Sequence, residues 1–363
     1  MQEEIIKRFI DNGCYEDTVK YGEYIKNRDR ANETKNLDGQ WSYLTELVII
    51  TIKSLIPSNE IIGTVIDYKR FEEELKLWHS YRHGYNKALL NALTRKSSNI
   101  YWNETDNSSY CRIFPLVASN SNWETTKDQI LKNLVCVTGN INTILECLVL
   151  SKLLQEILDG ITDYECILED IKEEIIHFSQ KDFIDKYSTD FLFILDTYEG
   201  NYAIDFERKR ISLINILNGL YLGNDFQTLK QSLEILNHNL SLGEDDLRKE
   251  DSELESTNHY FLAGLRGALD TNHFVGNYKD KSFITNLGSY LYKLRKSRIS
   301  PESLIVEDYF MPDVFSFNEG DTFNHTLLNT CKVVKKENYR SFLISYIKTK
   351  AGTYRFFRSL GNK

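Results

Sequence analysis

The sequence predicts an almost wholly α-helical protein, and three observations lead to that fold class. Only four prolines occur in 363 residues, and proline breaks helix interiors, so the long proline-free stretches permit long helices. Eighteen glycines are few for a protein rich in tight β-turns. Apolar residues recur in many segments at the helical period of about 3.6 residues.

The predicted helices follow one another along most of the chain. The segment 41–55 is apolar on nearly all sides and stops before Pro57, so we expect a core helix there. Residues 125–158 read as two helices with a break at 138–140. The same periodicity predicts further helices at 68–81, 85–93, 165–178, 213–222, 226–240, 261–269, 283–294 and 341–350.

Polar segments separate these helices. Residues 243–257 have almost no apolar content and are predicted to form a surface loop, as are residues 97–109, which are rich in Asn and Ser. No linker rich in Pro, Gly or Ser divides the chain, so a single domain over 1–363 is expected, with 307–363 as a C-terminal arm and helix.

The charge balance argues against one class of partner. The formal net charge is −9 with acidic and basic residues mixed along the chain, which disfavours a nucleic-acid binder that works by phosphate neutralisation. The basic clusters 293–298 and 332–336 are interpreted as solvated helix faces, the alternative being a local patch for an anion or a partner. We therefore expect no nucleic-acid partner.

The compartment is predicted from cysteine usage and hydropathy. The six cysteines show no CxxC pairing, so free buried thiols in a reducing compartment are expected. The N-terminal segment does not read as a signal peptide, and no run approaches the ~20 apolar residues of a membrane span. These features predict a cytoplasmic protein with no membrane association.

Three segments, in order, resemble motifs of the ADP-ribosylglycohydrolase family, which includes the dinitrogenase reductase-activating glycohydrolases. Residues 39–47 (GQWSYLTEL) are similar to the family's G-x-[WY]-T-D-D-T, and 108–116 (SSYCRIFPL) to its M-R-x-x-P-L. Residues 256–269 (STNHYFLAGLRGAL) are similar to G-G-D-T-D-T followed by A-A-I-A-G-A-L. The resemblance spans about 37–295 and implies a compact, orthogonal all-α bundle; the family's opening motif is not evident in residues 1–35.

In that family the two Asp-rich motifs hold a pair of Mg²⁺ ions that orient ADP-ribose and a water. Carried over to this sequence, the four carboxylates fall on Tyr43, Leu44, Asn258 and Tyr260. The neutral oxygens of Thr45 and Asn258 remain as weak candidate ligands, but neutral oxygens alone compete poorly with water for Mg²⁺. The resemblance therefore implies a degenerate magnesium site, and no other cofactor is expected.

Acidic residues near the motifs offer replacements for the missing carboxylates. Asp38 precedes the first motif and reads either as a helix-entry residue or as a cleft residue. Asp245 and Asp246 read either as a solvated charge run or as a displaced metal motif. Asp321 lies in a GDT sequence and is favoured as the cap of a helix start.

The remaining candidates are residues that the resemblance places around the cleft. Trp41, Tyr43 and Tyr260 are aromatic residues that either stack on an adenine or plug the pocket. Arg112 either contacts a phosphate or pairs with a buried acid. These four residues are the predicted ligand-binding set, and no catalytic residue is assigned.

Three functions remain open from the sequence. The first is a diverged ADP-ribosylglycohydrolase-like protein whose hydrolysis is lost or weakened but which keeps a site for ADP-ribose, a related nucleotide or an ADP-ribosylated protein. The second is an active Mg²⁺-dependent hydrolase that uses relocated carboxylates. The third is a non-catalytic interaction or structural protein with a protein partner, since a fold can persist after its chemistry is lost.

Overall fold

The computed structural model describes residues 1–28, 39–94, 96–188, 193–220, 223–241, 258–271, 275–306, 308–339 and 341–360. In these residues fourteen α-helices are followed by a small antiparallel sheet, and a short hairpin lies between the second and third helices. The helices are α1 (Gln2–Arg28), α2 (Tyr43–Lys53), α3 (Tyr68–Trp78), α4 (Lys87–Thr94), α5 (Ser98–Asn103), α6 (Asn107–Ser119), α7 (Trp123–Val135), α8 (Ile141–Asp159), α9 (Tyr164–His177), α10 (Gln180–Tyr187), α11 (Tyr202–Leu217), α12 (Gln227–Ser241), α13 (His259–Leu269) and α14 (Lys281–Arg295).

The prediction of an almost wholly α-helical protein is confirmed in part, because the described chain is mostly helical but also contains two small antiparallel sheets that were not predicted. The break within 125–158 is also confirmed, because α7 ends at Val135 and α8 begins at Ile141. At the N-terminus of α8, the side chain of Asn140 accepts a hydrogen bond from the backbone N–H of Thr143, which is the usual way to satisfy a free donor of a helix start. Helix α8 is buried on nearly all sides and forms the centre of the bundle.

Helix α1, which the sequence reading did not anticipate, packs closely along α13. Two glycines of α13 permit this approach. A Cβ on Gly264 would lie 2.6 Å from the ring of Phe9, and one on Gly267 would lie 2.1 Å from the side-chain amide of Asn12. The close contact brings the C-terminal half of α1 beside the start of α13, and this arrangement positions the candidate site described below.

Six strands complete the described part of the chain. They are β1 (Leu55–Pro57), β2 (Thr64–Ile66), β3 (Thr322–His325), β4 (Asn329–Tyr339), β5 (Phe342–Thr349) and β6 (Gly352–Ser359). The hairpin pairs β1 with β2, and the C-terminal sheet has the antiparallel order β3-β4-β5-β6. Its buried side chains join one core cluster with the helices, although the assignment of 1–363 to a single domain stays a prediction.

The predicted helix at 341–350 is wrong. Residues 342–349 form β5, which pairs with β4 on one side and with β6 on the other. The apolar spacing of FLISYIKT suits either a helix or a strand, and pairing with β4 and β6 decides between them. Gly352, the first residue of β6, pairs with Thr349 across a two-residue turn and has a φ of +139°, which L-residues rarely adopt.

Two further expectations about local structure are wrong. Residues 97–109 do not form a loop, because Ser97 caps α5 and Asp106 caps α6 with their side-chain oxygens. Asp321 does not start a helix but directly precedes β3. The predicted surface loop 243–257 lies outside the described residues. No helix in the described part of the chain combines the length and apolar content that crossing a membrane requires.

Candidate functional site

The first and third motif segments meet at a buried carboxylate from α1. Asp17 has no solvent exposure. Its oxygens accept hydrogen bonds from the backbone N–H and the hydroxyl of Ser42 at 2.9 and 2.5 Å, and from the backbone N–H and the hydroxyl of Thr45 at 3.3 and 2.7 Å. The ring Nε2 of His259, at the start of α13, lies 3.4 Å away. Asp17 therefore joins the N-termini of α2 and α13.

The carboxylate of Asp17 is saturated by this arrangement. An ionised carboxylate offers roughly four lone-pair positions, and five donor atoms of Ser42, Thr45 and His259 surround this one. Its position at the start of α2 is favourable because the free N–H groups and the dipole of a helix N-terminus stabilise negative charge. Asp17 serves here as an internal helix cap and has no free position for a metal ion.

The two weak metal-ligand candidates are also engaged within the protein. The hydroxyl of Thr45 donates to Asp17, and the side-chain amide of Asn258 donates to the hydroxyl of Thr228 at 2.6 Å. Among the residues that the structure describes, no three His, Cys, Asp or Glu side chains are grouped so that they could hold a metal ion. A divalent Mg²⁺ needs several hard oxygen ligands with compensating charge, and this donor set does not fit it.

Arg112, predicted either to contact a phosphate or to pair with an acid, forms a buried ion pair. Its guanidinium lies 2.8 Å from the carboxylate of Asp106, and neither side chain is exposed to solvent. The same guanidinium donates to the hydroxyl of Ser109 at 3.0 Å and to the side-chain oxygen of Asn133. In this conformation Arg112 is not accessible to a ligand phosphate, and the structural role is the one observed.

Asp106 organises the start of α6. Its carboxylate accepts hydrogen bonds from the backbone N–H of Ser108 at 3.0 Å and from the hydroxyls of Ser108 and Ser109 at 2.6 and 2.7 Å. The amide of Asn86, which caps α4, donates to it at 2.9 Å. Asp106 thus accepts hydrogen bonds from residues at the N-termini of two helices and also neutralises the charge of Arg112.

The predicted aromatic residues occupy different environments. Tyr260 is fully buried and packs on α1, where a Cβ on Gly13 would lie 2.6 Å from its ring. Its hydroxyl lies 3.5 Å from the Sγ of Cys14. Tyr43 is half-buried, and its hydroxyl donates to the side-chain oxygen of Asn107 at 2.9 Å, which links α2 to α6. Of the two, only Tyr43 reaches the surface.

Trp41 lies at the edge of the same region and is mostly buried. The ammonium of Lys279 lies 5.9 Å from the centre of the Trp41 ring and donates to the side-chain oxygen of Gln40 at 2.8 Å. Trp41 and Tyr43 are therefore the chain neighbours of Ser42, whose backbone N–H and hydroxyl bind the Asp17 carboxylate. The structure separates them from Arg112, which lies in the core, and from Tyr260, which packs on α1.

A third buried carboxylate repeats the capping arrangement. Glu146 on α8 accepts a hydrogen bond from the backbone N–H of Leu229, in the first turn of α12, at 2.7 Å. It also accepts one from the hydroxyl of Tyr110 at 2.6 Å. Burial raises the pKa of the Glu146 carboxyl from its ordinary value of 4.5 to about 7, although these hydrogen bonds oppose the shift.

The raised pKa of Glu146 predicts a pH dependence of stability. A folded-state pKa above the unfolded value means that the contribution of Glu146 is fully present below pH 4.5 and is lost as the pH rises through about 7. In the Glu146→Gln variant, the loss of unfolding free energy between these pH values should be smaller than in the wild type by about 3 kcal/mol. Urea unfolding across this pH range measures the difference.

The control for this prediction is Glu173→Gln, whose side chain is 71% exposed. We expect this variant to keep the wild-type pH profile, because an exposed carboxyl has little differential interaction with the folded state. If Glu146→Gln also keeps that profile, Glu146 does not hold its proton in the folded chain.

One further cluster near the first motif was missed by the sequence reading. The Nδ1 of His83 lies 2.6 Å from one oxygen of Glu46. The other oxygen of Glu46 accepts hydrogen bonds from the indole of Trp78 at 2.8 Å and from the backbone N–H of His83 at 3.2 Å. The buried Glu46 therefore orients an imidazole that is 24% exposed, a pairing that fixes the tautomer with the proton on Nδ1.

The sequence contained a signal for Asp17 but none for the pair of Glu46 and His83. Asp17 continues the buried face that Ile6, Ile10 and Cys14 form at helical spacing, and an acid on such a face requires internal partners. Glu46 and His83 come together only through the packing of the segment that follows α3 against α2. The helix predicted at 68–81 is observed as α3, which ends at Trp78 with His79 as its C-cap.

Of the relocated carboxylates that the sequence suggested, Asp321 lies in the described part of the chain, and it is not at this site. The carboxylate of Asp321 accepts a hydrogen bond from the backbone N–H of Asn318 at 2.7 Å, within a turn of the C-terminal sheet. Asp38, Asp245 and Asp246 lie outside the described residues.

No model of a known protein family matches the chain, and no curated protein sequence shows significant similarity to it.

Proposed function

We propose that this chain is a divergent relative of the ADP-ribosylglycohydrolases that binds ADP-ribose or a related nucleotide but does not hydrolyse it with a two-metal centre. One observation carries the proposal. The carboxylate that lies between the first and third motif segments, Asp17, is fully buried and is surrounded by five protein donors. In place of a metal centre, the motif segments share an internal hydrogen-bonded network.

The surface above this network supports the binding of an anionic ligand. Links through Tyr43 and Asn107, and through Asp17 and His259, connect the N-termini of α2, α6 and α13. Helix N-termini attract phosphate groups, since their backbone N–H groups and dipoles favour negative charge. Asp17 and Asp106 already neutralise part of this potential, so we expect weak binding. The side chain of His259 is 17% exposed. With a proton on both ring nitrogens, its imidazole donates through Nδ1 to the phosphate that we assign to it, while Nε2 faces Asp17.

Calorimetric titration of ADP-ribose tests the proposal directly. We expect binding with the same dissociation constant in Mg²⁺ and in EDTA, and no release of ADP-ribose from an ADP-ribosylated arginine peptide. His259→Ala should weaken the binding, because it removes the proposed phosphate donor. The matched control is His177→Ala on the exposed face of α9, which should leave the dissociation constant unchanged.

The other outcomes favour the other two functions. Binding that requires Mg²⁺, or metal-dependent release of ADP-ribose, would support an active hydrolase with relocated carboxylates. An absence of binding in both conditions would contradict a nucleotide-binding role and leave the interaction protein. One observation independently favours an interaction role, namely the exposed lysine and arginine side chains on the solvent-facing side of the C-terminal sheet.

A further inference from the structure

The C-terminal sheet exposes a row of residues that crosses all four strands. In register order the row is Thr322, Lys332, Lys348 and Thr353, and all four residues are exposed. The opposite face carries Val333, Ile347 and Phe356, which are buried against the helices. We call the exposed side of the sheet its outer face.

A second row on the outer face adds two cations and an aromatic ring. Lys335, Tyr346 and Arg355 lie opposite one another on β4, β5 and β6. Tyr346 is half-buried, and the ammonium of Lys335 lies 5.8 Å from the centre of its ring. Tyr346 therefore neighbours cations on three strands, and these cations are Lys332, Lys335, Lys348 and Arg355.

These cations are only partly neutralised. Lys332 and Lys348 are direct cross-strand partners, and like charges in that position destabilise a sheet. Within the described part of the chain, neither lysine nor Arg355 forms an ion pair, whereas Lys335 pairs with Glu337. A second carboxylate nearby, that of Glu319, accepts a hydrogen bond from the backbone N–H of Lys336 at 2.6 Å. The face thus keeps an excess of positive charge on a chain whose net charge is −9.

Aromatic rings continue along the same face. Phe342 on β5 is 41% exposed, and its ring lies 6.5 Å from that of Phe357 on β6. The guanidinium of Arg82, from the segment after α3, lies 5.3 Å from the Phe357 ring and adds a further cation. Proteins that bind single-stranded nucleic acids combine exposed aromatic rings with cations on a sheet, because the cations bind phosphates and the rings stack on unpaired bases.

We propose that the outer face of the C-terminal sheet binds single-stranded nucleic acid. Lys332, Lys348 and Arg355 contact phosphates, and Phe342 and Tyr346 stack on bases. This proposal departs from the expectation of no nucleic-acid partner, which rested on the net charge of the whole chain. That charge does not reveal the face. Lys332 and Lys335 belong to the basic cluster 332–336, which lies on strand β4 and not on the helix face that the sequence predicted. Lys348 and Arg355 join them only through the strand register.

Fluorescence anisotropy with a short fluorescein-labelled poly(U) oligonucleotide tests the proposal on the full chain. We expect binding at low salt that weakens as salt increases, because each phosphate contact contributes about 0.7 to the slope of log K against log salt for single strands. Lys332→Glu combined with Lys348→Glu should weaken binding by at least about tenfold and reduce the slope by about 1.4. Phe342→Ala should weaken binding several-fold without changing the slope.

The matched control is Lys293→Glu on α14 combined with Lys296→Glu at its C-cap, which changes the net charge by the same amount at exposed positions. We expect it to leave the affinity nearly unchanged. Since all four lysines are exposed, both double variants should keep the thermal unfolding midpoint of the wild type, and that measurement is made first.

Three results would overturn the proposal. They are an absence of oligonucleotide binding at low salt, an equal loss in the control variant, and binding to phosphatidylserine vesicles without binding to the oligonucleotide. The test is separate from that of the proposed function, because the outer-face variants should bind ADP-ribose as the wild type does.

Discussion

Replacing Asp106 by alanine should lower the free energy of unfolding by about 3–5 kcal/mol. The guanidinium of Arg112 would remain fully buried without the carboxylate that lies 2.8 Å from it. The same change removes the acceptor for the backbone N–H and hydroxyl of Ser108 at the start of α6. Urea unfolding followed by circular dichroism measures the effect, which we expect to be among the largest of any single substitution in the chain.

The matched control is an aspartate that pairs with an arginine at the surface. Asp313 accepts two hydrogen bonds from Arg358, at 2.7 and 2.9 Å, and its side chain is 47% exposed. Asp313→Ala should cost less than about 1 kcal/mol, because water solvates both charges when they separate. Equal effects of the two substitutions would contradict the buried environment of the Arg112 ion pair.

A double substitution separates the two causes. Adding Arg112→Met to Asp106→Ala removes the uncompensated buried charge, but the cap of α6 is still missing. The double variant should therefore be more stable than Asp106→Ala alone and less stable than the wild type. A double variant that is no more stable than Asp106→Ala would mean that the buried charge is not the main cost.

The helical part of the fold could be predicted because its signals are local. Apolar periodicity located α2, α3, α4, α7, α8, α9, α12, α13 and α14 to within a few residues. It did not predict α5, α6 or α10, and the helix predicted at 213–222 overlaps only the end of α11. The side chains that cap a helix also act over a few residues, which is why the break at 138–140 was predicted correctly.

The C-terminal sheet and the buried carboxylates could not be predicted in the same way. The apolar spacing in β5 does not distinguish a strand from a helix, and its partners β4 and β6 decide the outcome. Asp106 and Arg112 are close in sequence. Asp17, in contrast, is distant in sequence from Ser42 and Thr45, and no sequence motif indicates that these residues are in contact. The candidate site therefore depends on contacts distant in sequence, which a motif comparison does not contain.

Two substitutions of Asp17 test whether the hydrogen bonds between the first and third motif segments stabilise the fold. Asp17→Ala leaves the buried backbone N–H groups of Ser42 and Thr45 without an acceptor, so the free energy of unfolding should fall by about 4 kcal/mol. Asp17→Asn keeps one oxygen for these N–H groups but loses the charge and the oxygen that accepts from the hydroxyl of Ser42, so a smaller loss of about 2 kcal/mol is expected. Chemical denaturation of both variants measures the two losses.

The same pair of variants separates structure from metal chemistry. A carboxylate that serves only as a helix cap has no role in metal binding, so Mg²⁺ should stabilise neither the wild type nor Asp17→Asn against unfolding. A Mg²⁺-dependent increase in the unfolding midpoint that is present in the wild type and absent in Asp17→Asn would instead identify Asp17 as a metal ligand, because a ligand that binds only the folded state raises its stability. Since the five donors around Asp17 leave it no free lone pair, we expect the midpoints to be independent of Mg²⁺.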